Sequence, residues 1–176
     1  GGERAMLFRN GTHMIDALCF FAESEPVQVF AKLEEGFEDW DRYKGDGGKL
    51  PENDPGANGL VVFKNGVQGV YCGWKGTLFL FTMQLSGPKG QINFGLEDRT
   101  AELATAGPGV GDFLRLTLRP NYYQIHGLVA AYHELIDLIE NGGESVSSPR
   151  DARQVLQVLL GFLKSNQAGG RLVDVP

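Results

Sequence analysis

The middle of this chain reads as a run of short strands joined by turns and never by helices. One helical segment precedes that run and two follow it. Such an order excludes a doubly wound parallel sheet, which needs a helix between strands. It predicts an α+β fold: two layers, a mainly antiparallel open sheet with helices packed on one face, and a single domain over residues 1–176.

The first helix is read over His13 to Ala22, with Met14, Ala17, Leu18 and Phe21 as its apolar stripe, Thr12 as its cap and Asp16 in its first turn. Pro26 breaks the pattern, and Val27, Val29, Ala31 and Leu33 alternate as in a strand. Gly36 to Asn58 is a long excursion rich in charge, glycine and proline, and reads as a solvated loop. Leu60–Lys64 and Val67–Trp74 flank Asn65-Gly66, the dipeptide suited to a type I′ hairpin turn. Leu78–Leu85, Gln91–Phe94, Ala101–Ala104 and Phe113–Leu118 are further strands, the first two joined by Gly87-Pro88-Lys89-Gly90. The closing helices are read over Tyr122–Glu140 and from Ser148 to about Ser165. In the second, Ser148, Pro149 and Asp151 form a helix-start signature, and its apolar residues, Leu156 included, wrap much of the circumference. Arg171–Val175 is an edge strand.

Composition narrows the partners. Sixteen basic residues against 22 acidic ones leave a net charge of −6. Phosphate backbones and anionic lipid surfaces both select clustered positive charge, so neither nucleic acid nor membrane is an expected partner. No apolar run approaches the roughly 20 residues of a spanning helix, and no leader is recognisable. Glycine, at 25 of 176 residues, is about twice its usual share, and many turns between short strands account for it. Cys19 and Cys72 lie in apolar surroundings far apart in sequence and are expected as reduced core thiols, which suits a cytoplasmic location.

Several chemistries lack their residues. No Walker loop occurs, and Gly107 to Gly111 precedes a strand where a dinucleotide fingerprint would precede a helix. No Gly-x-Ser-x-Gly elbow is present. His13, His126 and His133 have no zinc-type spacing, so no metal is expected, and His133 with Asp137 reads as a surface pair.

Gly11-Thr12-His13-Met14-Ile15-Asp16 is the most informative stretch. It puts a histidine in the first turn of a helix. The helix dipole there disfavours imidazolium, and Arg9 would push the same way. A neutral imidazole is therefore the expected form, ready to take a proton. The same residue can equally be a half-buried histidine bonded to backbone.

Gly-x-His-x-x-Asp at a helix start resembles the second-domain motif of the Gfo/Idh/MocA oxidoreductases, the glucose-fructose oxidoreductase and inositol dehydrogenase group. Leu60 to Gly66 resembles the family's strand ending in Asn-Gly, and Gly87 to Ile92 its Gly-x-x-Gly turn. Ile136–Gly142, Ser148–Ala152 and Arg171–Pro176 resemble its closing helices and last strand. The resemblance spans nearly the whole chain. It implies that an N-terminal Rossmann domain, which binds NAD or NADP in the family, is not part of these residues. The chain would then be the substrate-binding and oligomerisation piece of a longer enzyme, inactive alone and binding no cofactor itself. Its partners would be a small-molecule substrate, a sugar, polyol or similar compound, and further copies of itself through the open sheet face.

The resemblance also implies His13 as the catalytic acid/base, with Arg9, Asn10, Asp16, Trp74 and Lys75 as substrate-binding residues. Inositol-type dehydrogenases carry Asp four residues before this histidine, where Arg9 stands here. Arginine suits an acidic or phosphorylated substrate. It equally fits the alternative, a non-catalytic small-molecule-binding or assembly module of the same fold.

Overall fold

A computed structural model describes residues 7–34, 54–73, 81–95, 100–109, 112–117 and 127–176. The chain divides into two compact units, one made of Gly1–Thr77 with Glu144–Pro176 and the other of Leu78–Gly143.

The first unit holds helix α1 (Gly11–Ala22), strands β1 (Pro26–Leu33), β2 (Ala57–Phe63) and β3 (Gln68–Gly73), and, after the second unit, a long helix and the short strand β8 (Val173–Asp174). Its sheet has the order β3-β2-β1-β8, and every pairing is antiparallel. The second unit holds β4 (Thr82–Gly87), β5 (Gly90–Gly95), β6 (Ala101–Ala106), β7 (Phe113–Thr117) and helix α2 (Gly127–Asn141). Its sheet is a meander in chain order, again antiparallel. The α+β class is as expected, and among the described residues the strands are ordered in two four-stranded antiparallel sheets.

Helix α3 (Pro149–Gln167) starts on a capping box: the Ser148 side chain accepts from the Asp151 amide, and the Ser148 amide donates 2.8 Å to Asp151 Oδ2. Its buried face, from Val155 through Val158, Leu159, Phe162 and Leu163, lies on β1 and against α1. Leu156 is about half exposed, so the apolar wrap is incomplete. Val29, Ala31 and Leu33 point from β1 into this core. Val27, expected with them, is exposed, because the register with β2 shifts between Pro26 and Gln28.

Three local expectations are corrected. Helix α1 buries Gly11, Ile15, Cys19 and Ala22, not the Met14–Phe21 stripe. Apolar residues run nearly all round this helix, so periodicity allowed either face. The buried one carries smaller residues and admits close approach to α3 and β3. Thr12 is not the cap: Asn10 holds that position, while the Thr12 hydroxyl donates 2.7 Å back to the Arg9 carbonyl, and Asp16 falls beyond the first turn. The β2–β3 turn is not type I′. Gly66 has φ +89°, and among the described residues Glu23 is the one non-glycine with positive φ, so Asn65 does not meet the type I′ requirement. The Gly66 amide donates 2.9 Å to the Phe63 carbonyl and the Phe63 amide 2.9 Å to Val67. These are the bonds of a three-residue loop, a type I turn closed by a left-handed glycine. Asn65 instead donates its side-chain amide 2.9 Å to the Ala22 carbonyl, tying the hairpin tip to the end of α1.

In the second unit the β4–β5 turn forms at Pro88-Lys89, with Gly87 opposite Gly90, as read from the sequence. Leu85, Ile92, Leu103 and Leu116 stand in one row across the sheet, and Gln84, Asn93, Glu102 and Thr117 in the neighbouring row on its other face. Helix α2 buries none of its side chains, leaving Leu128, Tyr132, Leu135 and Ile139 exposed. Asp137 accepts from Asn141 at 2.7 Å, in place of the pairing expected with His133.

Candidate functional site

His13 is the third residue of α1 and is exposed. Its amide donates 3.2 Å to the Asn10 carbonyl. Arg9, exposed, and Asn10, half-buried, form the turn that delivers the chain into the helix. The structure therefore brings Arg9, Asn10 and His13 together on one helical start. A guanidinium there can hold a carboxylate or phosphate, and an accessible imidazole one turn on can exchange a proton. Asp16 is exposed on the next turn of the same helix. Trp74 and Lys75 lie outside the described residues, as do Tyr122, Tyr123 and His126.

The approach to this turn is fixed from the far end of the long excursion. Asp54 is fully buried, and its Oδ1 accepts the Phe8 amide at 2.8 Å. The Leu7 amide donates 3.2 Å to the Pro55 carbonyl, and the Leu7 side chain is fully buried. Tyr71, on β3, is buried beside this carboxyl. Its hydroxyl has no hydrogen-bond partner among the described residues, and burial first, then the charge of Asp54, raises its pKa above the usual phenol value. Asp54 falls within Gly36 to Asn58, the stretch expected as a solvated loop. The only local signal was its position three residues before a buried alternating strand.

Asp16 also lines an open crevice of about 550 Å³ with Cys19, Glu23, Glu25, Arg150 and Asp151. Arg150 is already engaged there, donating 2.7 Å to Glu25. Cys19 is a buried thiol, its pKa pushed up to about 11 by burial first and then by Asp16 and Asp151. Cys72 is free too but exposed on β3, against the expectation of two core thiols. Among the described residues no group of three or more His, Cys, Asp or Glu is placed to hold a metal ion, and no helix is long and apolar enough to cross a membrane.

No family model and no curated protein sequence matches the chain. Solved structures do. A protein from Desulfitobacterium hafniense, assigned as an NADPH-dependent oxidoreductase, matches with a TM-score of 0.75 at 18% identity, over 96% of this chain and 47% of its own. The UDP-N-acetylglucosamine 3-dehydrogenase GnnA of Acidithiobacillus ferrooxidans matches with a TM-score of 0.66 at 16% identity, over 87% of this chain and 48% of its own. The WlbA dehydrogenase of Bordetella pertussis, solved with NADH and UDP-GlcNAcA, matches with a TM-score of 0.59 at 15% identity, over 97% and 45%. These are Gfo/Idh/MocA-type oxidoreductases, and the chain has the fold of one part of them. It spans about half the length of the structures it matches.

Proposed function

We propose that this chain is the C-terminal substrate-binding and oligomerisation domain of a Gfo/Idh/MocA-type, NAD(P)-dependent oxidoreductase of the cytoplasm. The observation that carries this reading is the fold match over 96% of the chain against 47% of the matching oxidoreductase. It is joined by an exposed histidine in the first turn of α1, where the sequence resemblance puts the acid/base. The nicotinamide cofactor, bound by a separate dinucleotide domain, supplies the hydride chemistry. His13 gives or takes the proton at the reacting hydroxyl or carbonyl of a sugar or related compound. Arg9 and Asn10 bind the substrate beside it, and Asp16, Trp74 and Lys75 complete the set. Arg9 favours a substrate bearing phosphate or carboxylate. GnnA and WlbA, whose substrates are nucleotide sugars, make UDP-sugars the first compounds to test.

Assembly is proposed through the open sheet face, supported by the apolar face of the second unit's sheet, where Leu114 and Leu116 are each more than half exposed. A strictly monomeric sedimentation profile of the full-length protein would argue against it.

The functional test is reduction of NAD and NADP by the full-length protein against UDP-sugars, sugar acids and polyols, followed by absorbance. His13→Ala is expected to lower turnover by roughly 10²- to 10⁴-fold, the usual worth of a positioned acid/base. Turnover at the wild-type rate would remove His13 from the chemistry. No turnover with any compound, together with no binding of either nicotinamide, would leave the non-catalytic module as the better reading.

A further inference from the structure

The acid/base role of His13 requires the start of α1 to be held in one place, and the side chain of Asn10 makes no capping bond there. The Thr12 hydroxyl and the His13 amide both close back onto the turn 7–10, so the turn and the helix start move together. Two bonds tie that turn to the far end of the excursion: Phe8 amide to Asp54 Oδ1 at 2.8 Å, and Leu7 amide to Pro55 carbonyl at 3.2 Å. Asp54 is 46 residues away in sequence and is fully buried. A buried carboxyl is costly unless its bonds justify it, and a bond from a backbone amide to a carboxylate is among the stronger neutral-to-charged kinds. The strand edge at this loop end is itself anchored, because the Glu34 amide donates 2.9 Å to Gly56 and the Gly56 amide 3.2 Å to Glu34 Oε2. Asp54 thus projects from a fixed base onto the turn that carries Arg9, Asn10 and His13.

We propose that Asp54 is the positioning residue of the site: by holding the Phe8 amide it sets where α1 begins, and so where the His13 imidazole and the Arg9 guanidinium stand. This rests on the functional reading of His13 given above, but its test needs no turnover. Residue-resolved amide hydrogen exchange and the imidazole NMR signals of His13 are measured on the intact chain for Asp54→Ala, Asp54→Asn and, as a destabilised control with this bridge untouched, Ser165→Ala. With Asp54→Ala, exchange at His13 to Ile15 is expected to rise at least tenfold relative to Val29 and Val61, and the His13 ring signals to move toward those of an unstructured peptide. Asp54→Asn keeps an acceptor oxygen and is expected to restore most of both. Ser165→Ala should leave the His13 signals in place. If Asp54→Ala does not fold, Phe8→Pro deletes the same bond from the donor side and is expected to give the same local pattern. Uniform acceleration over the whole first unit, unchanged exchange, or His13 signals that do not move would overturn the proposal. A turnover-competent His13→Ala enzyme would sink the functional reading and leave the positioning result standing, so the two fail separately.

Discussion

Ser165 Oγ accepts the Ala31 amide at 2.9 Å, a bond from the last turn of α3 to the middle of β1. The reason lies in the length of β8. That strand pairs with β1 only at Gln28 and Val29, so among the described residues the edge of β1 beyond it has no strand partner. Ser165 serves Ala31, and Asn166 Oδ1 accepts the Leu33 amide at 3.0 Å. Both side chains are buried, where an unmet amide is expensive. Ser165 also donates 2.6 Å to the Arg171 carbonyl, closing the chain back after the helix. Ser165→Ala is expected to destabilise the fold by about 1–3 kcal/mol, the cost of leaving a buried donor unmet. Urea unfolding with an unchanged denaturant slope checks it.

Phe162 lies directly over Gly59 of β2. A Cβ there would fall inside van der Waals contact with the Cζ, Cε1 and Cε2 atoms of the ring. The ring is fully buried and close to Tyr71, so it has little room to give. Gly59→Ala is expected to cost about 1–3 kcal/mol through overpacking. Combining it with Phe162→Leu should cost less than the sum of the two single changes, a non-additivity that a double-mutant cycle reads directly.

The start of α3 depends on two short side chains. Ser148→Ala removes the cap acceptor and is expected to cost about 1 kcal/mol. The Asp151 carboxyl is held below the usual carboxylate range, first by the Ser148 hydroxyl and next by the Ser148 amide. A lowered folded-state pKa stabilises the protein above the unfolded value, near pH 4, and that contribution fades as pH falls through the folded value. Thermal unfolding of wild type and Asp151→Asn should therefore differ at neutral pH and converge in acid. Equal melting temperatures at neutral pH would contradict it.

The two thiols should separate cleanly. At pH 8 a thiol-reactive dye is expected to label Cys72 rapidly in the native protein and Cys19 only on unfolding, because Cys19 is buried and its pKa is pushed up to about 11. That raised value also adds stability present below the unfolded thiol pKa and lost as pH rises toward 11. Mass spectrometry of labelled native and denatured protein measures the difference, and rapid native labelling of both would contradict it.

Much of this was legible without coordinates. The order of elements, the α+β class, the Pro88-Lys89 turn and the capping box of α3 are each written within a few neighbouring residues. Those residues settle local backbone geometry almost unaided, through fixed proline angles, glycine at turns and hydroxyl caps. The position of His13 in the first helical turn was readable for the same reason.

Other features depended on partners far along the chain. Periodicity could not choose between the two apolar faces of α1, because only the surfaces of α3 and β3 show which set of side chains fits between them. Nothing near Ser165 or Asn166 marks them as acceptors for β1, 134 and 133 residues away. Asp54 looks like any loop acid until the Phe8 amide is seen against it. Local sequence thus determined which elements form and where they turn. Tertiary structure decided which faces are buried and which polar groups answer one another, because burial and long-range hydrogen bonds belong to pairs of segments and not to either one alone.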